Sequence, residues 1–281
     1  MSISTLGTAS LLVLFLLCTS TAALAIVGAY RKSDRLVEGA VQGVHGIFGA
    51  TAFASALLVY AFLAGDYSIQ YVQQNSHPAM PIFYKVTAFW GSLDGSLLFW
   101  LLLLSLFSSL AIRANRERHR ELIPHAVAVL AIVMGFFAAL LVFLKDPFAP
   151  YILVDQAPKS GKGLNPLLQN PYMIFHPPSL YLGMVSLAVP YAFGMAAMIT
   201  GQVDSRWQHS VRRWVLFSWL FLGIGLVLGG LWAYEELGWG GYWAWDPVEN
   251  AGLLPWLTCT AFLHSVMVQE RRGMLKVWNL V

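Results

Sequence analysis

The chain has 281 residues, 58% hydrophobic and 11% charged, with a mean hydropathy of +0.63. Soluble domains carry roughly 25% charged residues, so this composition excludes one and predicts an all-α, polytopic membrane bundle. The net charge of +3 comes from basic residues in loops between apolar spans, where it reports orientation and not nucleic-acid binding.

Seven uncharged apolar stretches run at about residues 6–29, 41–64, 96–112, 124–144, 179–200, 214–234 and 250–269. Each is near the ~20 residues that cross a hydrocarbon core of ~30 Å, except the third, which needs the Trp90 region to complete it. The first has no basic region before it and no small-residue cleavage site followed by a soluble domain, which predicts a retained helix. In the second, His45 between Gly43 and Gly46 reads as close helix packing. His77, before Pro78 in an outer loop, has no Cys or acidic partner at ligand spacing. At the third span Gly91 and Gly95 bracket Asp94 and predict a bend with close helix approach.

Arg31, Lys32 and Arg35, then Arg113, Arg116, Arg118 and Arg120, then Arg206, Arg212 and Arg213, then Arg271, Arg272 and Lys276 fall in alternate loops. Only Lys85, Lys145, Lys159 and Lys162 occupy the others. The positive-inside rule therefore puts the N-terminus outside, the C-terminus inside, and loops 65–81, 145–172 and 235–246 on the extracytoplasmic face. His119, His125 and His209 fall on the basic side as solvated residues. Cys18 and Cys259 lie inside spans with no CxxC or CxxCH, against a thiol oxidoreductase or a c-type cytochrome.

The loop from Lys145 to Pro178 is rich in proline, which excludes a continuous helix but permits short ones capping an outward-facing cavity. At its end the pair Pro177–Pro178 is expected to hold the backbone extended ahead of the fifth helix, fixing His176 at the mouth. From the residues alone, His176 reads equally as a ligand or as a partner of a headgroup or loop carbonyl.

The segment from Trp232 to Asn250, WAYEELGWGGYWAWDPVEN, places four tryptophans and two tyrosines between two spans. An interfacial belt is the bland reading. However, Gly238, Gly240 and Gly241 strip side chains from between the rings, which suits a large planar ligand. Asp246, Pro247 and Glu249 read as a helix start with an N-cap carboxylate, proline at the first position and an acid three residues on. The adjacent Glu235 and Glu236 read as interfacial charges rather than an acid–base pair. His264, inside the last span, is a functional candidate by default or a neutral interhelical hydrogen bond, for example to Ser265 or Ser218.

Four segments then carry a resemblance. GWGGYWAWDPVEN, ending at Asn250, closely resembles the WWD signature of the haem-handling proteins of cytochrome c maturation, in particular the CcmF-type haem lyase subunit and its nitrite-reductase-linked relatives. FHPPSLYLG (Phe175 to Gly183) is similar to that family's extracytoplasmic histidine motif, WGSLDGSLLFW (Trp90 to Trp100) to its WGxxEGSxxxW motif, and LHSVMVQERRGMLK (Leu263 to Lys276) to its membrane-histidine helix. The resemblance implies a subunit of cytochrome c haem lyase, or holocytochrome c synthase, attaching haem to the CxxCH of an apocytochrome c.

By the same resemblance, His176 matches the first extracytoplasmic histidine that ligates haem iron. His264 matches the first membrane histidine, which ligates a retained haem b able to pass an electron to the delivered one. Trp232, Trp239, Tyr242, Trp243, Trp245 and Asp246 join them as the haem-binding set. The second histidine of each pair would lie beyond Val281, so the resemblance implies the N-terminal portion of a larger or split lyase. Implied partners are a haem chaperone of the CcmE type, CcmH-like and CcmI-like subunits, apocytochrome c and the C-terminal part of the lyase. The implied location is a bacterial inner membrane, multi-pass among its lipids, with the functional face periplasmic. The sequence departs from the family pattern at Asp94, where glutamate is usual, and at Leu93, where many members have histidine. A CcsA-type synthase is disfavoured by DPVEN and HPPSLY. A haem transporter is disfavoured because no repeat is visible and the Gly/Pro breaks lie mainly at the outer face. A b-type electron-transfer subunit would need His45 and His264 to face each other.

Overall fold

In a bilayer the backbone must satisfy its own polar groups, and long uncharged apolar stretches do so as helices. The computed structural model describes residues 2–151, 158–202, 205–238, 240–275 and 278–279. Among them, seven helical segments are long and apolar enough to cross a membrane: Ile3–Arg31, Asp34–Ala64, Leu93–Asn115, Ile123–Phe143, Tyr172–Thr200, Val211–Glu236 and Pro247–Arg272. Each contains or overlaps one of the predicted stretches, and no β-strand occurs among the described residues beyond an isolated bridge between Ile69 and Pro150.

In chain order the helices are α1 (Ile3–Arg31), α2 (Asp34–Ala64), the short α3 (Gln70–Asn75) and α4 (Ile82–Thr87), α5 (Leu93–Asn115), α6 (Ile123–Phe143), α7 (Tyr172–Ser186), α8 (Ala188–Thr200), α9 (Ser205–Glu236) and α10 (Pro247–Arg272). α1 packs along α2 and α6, α2 against α5, and α7 along α9, which also carries α10. Leu14, Ile47, Leu58, Phe62, Leu101 and Leu104 are among the buried side chains of the apolar core.

The third span does not use Trp90. Residues Ala88–Trp90 form a 3₁₀ turn that precedes α5, and α5, Leu93–Asn115, extends the predicted stretch at both ends, taking Leu93 to Gly95 from the region just after Trp90. The Tyr71 hydroxyl fixes the turn, lying 3.1 Å from the carbonyls of Ala88 and Ser92 and 3.2 Å from that of Phe89. It also accepts the Ser92 amide at 3.2 Å. Burial pushes the Tyr71 phenol well above its usual range, so it remains a donor. The expected close approach is real at Gly95, where an added Cβ would collide with the Phe89 carbonyl and stand 2.6 Å from the Tyr71 hydroxyl. Tyr71→Phe leaves buried carbonyls short of a donor and is expected to cost about 1–3 kcal/mol. A lowered midpoint of thermal unfolding in detergent checks this; an unchanged midpoint contradicts it.

One end of the bundle is basic. Arg116 meets Glu38 at 2.9 Å, joining α5 to α2, and Arg212 meets Glu270 at 2.9 Å, joining α9 to α10. At the opposite end Asp146 accepts the Thr8 hydroxyl at 2.6 Å and the Phe148 amide at 2.8 Å, pinning the segment after α6 to the start of α1.

The diproline does not precede a helix. α7 begins at Tyr172 and runs through Pro177 and Pro178, so the preceding loop ends at Pro171 and His176 stands on helix. Packing overrides the local preference of a pre-proline residue for extended backbone. His176, Leu180 and Gly183 on α7 face Gly229, Gly225 and Leu222 on α9. A Cβ at Gly225 would lie 2.9 Å from Leu180 Cα, and one at Gly183 would lie 2.5 Å from the Leu222 nitrogen. Glycines spaced in this way let two helices meet backbone to backbone.

Candidate functional site

Helical spacing along α7 turns Met173, His176, Pro177, Leu180, Tyr181 and Met184 toward one space. Trp232 near the end of α9, the first turns of α10 at Pro247, Val248 and Ala251, and Trp90, Trp100 and Leu168 complete a cavity of about 480 Å³. That volume lies within the ~300–1,000 Å³ of small-molecule sites. Its walls are aromatic: Trp100 and Tyr181 have ring centroids 5.3 Å apart, and Trp90 stacks on Phe99 at 5.2 Å.

His176 is held from behind. Its Nδ1 lies 2.8 Å from the Gly225 carbonyl. A carbonyl only accepts, so Nδ1 carries the proton and Nε2 keeps its lone pair. Gly229 makes room for the ring, since a Cβ there would come 2.6 Å from the imidazole Cε1. The Trp232 ring lies parallel to the imidazole within 9°, centroids 6.4 Å apart, and its indole donates to the Leu167 carbonyl at 3.1 Å. A smaller recess of about 80 Å³ shares His176, Leu180, Trp232 and Val248 and adds Trp243, Asp246 and Glu249. The Trp243 indole nitrogen is buried with no hydrogen-bond partner.

The predicted helix start is present. Asp246 accepts the Glu249 amide at 2.7 Å, and Glu249 accepts the amides of Asp246 at 3.2 Å and Ala244 at 2.9 Å. Two acids at an N-terminus also complement the helix dipole. Trp245 just before the cap holds φ 58°, an unusual backbone for a bulky residue.

The aromatic set divides. Trp232, Trp243 and Asp246 line the two spaces with His176. Tyr242 is 54% exposed and stacks on Tyr234 at 4.4 Å, and Trp245 is 69% exposed with its ring nearly perpendicular to that of Trp243; neither lines either space. Trp239 lies outside the described residues. Glu235 and Glu236 both accept from the Asn170 side-chain Nδ2, at 3.1 and 2.8 Å, so they anchor the capping loop to the end of α9.

His264 is exposed on α10 with Nδ1 2.8 Å from the Thr260 carbonyl. Its bond is thus to its own helix; Ser218 is 2.6 Å from Ser186, and Ser265 donates to the Phe262 carbonyl. His45 sits 2.7 Å from the Ser109 hydroxyl on α5, which fits the packing reading.

Sequence reasoning passed over Trp100, Tyr181 and Met184 as cavity residues, although Trp100 and Tyr181 lay inside quoted motifs. It also passed over Gly225-x-x-x-Gly229, a spacing that marks close helix contact and would have located the seat of His176.

Residues 90–281 match the cytochrome c assembly protein family. The chain is 43% identical over 260 residues to the cytochrome c-type biogenesis protein ccl1 of Rhodobacter capsulatus, covering 92% of this chain and 39% of that protein. It is 41% identical over 276 residues to the cytochrome c-type biogenesis protein CcmF of Pseudomonas aeruginosa, covering 98% of this chain and 42% of that one. A solved structure titled cytochrome c heme lyase CcmF superposes with a TM-score of 0.86 at 35% identity, over 99% of this chain and 44% of that one. The chain therefore spans about two fifths of the length of the curated relatives it matches.

Proposed function

The chain belongs to the cytochrome c assembly protein family, and we propose that it forms the N-terminal part, a single transmembrane bundle over residues 1–281, of a haem lyase that attaches haem to the CxxCH cysteines of apocytochrome c. One observation carries this reading. The Gly225 carbonyl fixes the His176 tautomer and leaves Nε2 free beside an aromatic cavity, and a second hydrogen bond of that kind is the usual support of a metal-binding imidazole. The donor set fits haem, whose iron takes axial histidine.

When bound, haem supplies the vinyl carbons that become thioethers and a redox-active iron. The protein's part is position. His176 offers one axial nitrogen, Trp232 and Trp243 bound the space beside it, and Trp90, Trp100 and Tyr181 keep its inner wall apolar. Asp246 and Glu249 brace the aromatic segment against α10. Tyr242 and Trp245, exposed on the same segment, are available to an incoming porphyrin edge or to a partner chain. His264, with Nε2 unused, serves a separate retained haem b.

The basic end faces the cytoplasm by the positive-inside rule, which puts the cavity at the periplasmic face of a bacterial inner membrane. There a haem chaperone of the CcmE type delivers haem, CcmH-like and CcmI-like subunits present apocytochrome c, and the remainder of the lyase supplies the second ligands. The test is a reduced pyridine haemochrome spectrum of the chain purified in detergent with and without the rest of the lyase. Haem is expected only with both parts. Stoichiometric haem in this chain alone, lost on His45→Ala, overturns the reading in favour of a self-contained b-type cytochrome.

A further inference from the structure

α7 continues through Pro177, and proline has no N–H to return to the carbonyl four residues back. That carbonyl belongs to Met173, a buried residue, and a buried carbonyl without a donor is costly. The indole N–H of Trp90 lies 3.1 Å from it, although Trp90 is 83 residues away in sequence.

Trp90 is itself well anchored. It ends the 3₁₀ turn that the Tyr71 hydroxyl gathers, and its own carbonyl accepts the Ser96 hydroxyl at 2.9 Å. Its ring lines the cavity beside Met173, His176 and Pro177. His176 is the residue immediately before the proline, in the turn whose hydrogen bond is missing.

We propose that Trp90 is a positioning residue for His176: its indole N–H replaces the backbone hydrogen bond that Pro177 removes and so fixes the turn of α7 on which the imidazole stands. The inference rests on the reading of His176 as an axial ligand. The histidine is then located from two sides, by α9 through Gly225 and by the turn before α5 through Trp90. The same indole that forms the cavity wall sets the ligand's helix, so wall and ligand keep a fixed relation.

The test uses the assembled lyase carrying Trp90→Phe, Pro177→Ala or both. Phenylalanine keeps an aromatic wall but donates nothing, and alanine at 177 restores an N–H in reach of Met173. The readouts are haemin affinity, the low-spin electron paramagnetic resonance signal of the haemin-loaded protein, and hydrogen exchange of the α7 amides without haem. Trp90→Phe alone is expected to weaken haemin capture about threefold or more, shift the signal and speed exchange in α7. In the Pro177→Ala background the same substitution is expected to do little. If Trp90→Phe prevents accumulation of the protein and the double variant restores it, the coupling is seen as folding. Equal effects in both backgrounds, no effect in either, or loss of both proteins overturns the proposal. His176→Ala separates the premise: capture and signal unchanged in that variant would refute the ligand reading, while coupling in hydrogen exchange would still decide the role of Trp90.

Discussion

Gly229→Val is expected to weaken capture of added haemin strongly without replacing the proposed ligand. A Cβ at this position would stand 2.6 Å from Cε1, 3.1 Å from Nδ1 and 3.3 Å from Nε2 of His176. The imidazole cannot simply rotate away, because its Nδ1 is tied to the Gly225 carbonyl one turn along the same helix. Either α7 separates from α9 or the ring leaves its seat. Overpacking of this kind costs about 1–3 kcal/mol, and the lost hydrogen bond adds roughly 1 kcal/mol. A weakening of haemin binding by at least about tenfold is the corresponding scale. Titration of the assembled lyase with haemin, followed by its absorption, measures the effect. Gly46→Val is the control: nothing lies within 4 Å of a Cβ there, so the protein should bind haemin as before. Retained tight capture by Gly229→Val would mean that His176 does not work from this seat.

Apolar length gave the spans, because bilayer thickness acts on each stretch separately, and the start of α10 was readable because Asp246, Pro247 and Glu249 satisfy one another within four residues. His176 was legible as a candidate but its backbone was not. The preference of a pre-proline residue is a local rule, whereas α7 is held helical by contact with α9 some fifty residues later, and Gly225 and Gly229 carry no chemistry to advertise it. The aromatic segment divides by backbone direction. Grouping Tyr242, Trp243 and Trp245 by nearness in sequence hid the turn of backbone that sends Trp243 inward and leaves Tyr242 and Trp245 exposed. The cavity wall instead gathers Trp90, Trp100 and Tyr181 from separate helices and turns, a convergence set by packing.

His264→Ala and His176→Ala are expected to have opposite effects. The N-terminal turns of α10 at Val248 and Ala251 line the cavity with His176. At 1.5 Å per residue, His264 stands about 20 Å further along the same helix from Ala251, so one iron cannot take both imidazoles. An ionisable side chain within a span is expensive unless it serves a ligand or partner. The hydrogen bond from His264 Nδ1 to the Thr260 carbonyl satisfies one nitrogen and leaves the other for such a use. His264→Ala should therefore remove nearly all haem b that copurifies with the assembled lyase, with capture of added haemin persisting. His176→Ala should preserve the copurifying haem and lose the capture, and Trp243→Ala should weaken capture in the same direction, since Trp243 lines the recess beside the imidazole. Haemochrome stoichiometry after purification reads the first property and haemin titration the second. Equal losses of both in all three variants would collapse the two sites into a single shared haem.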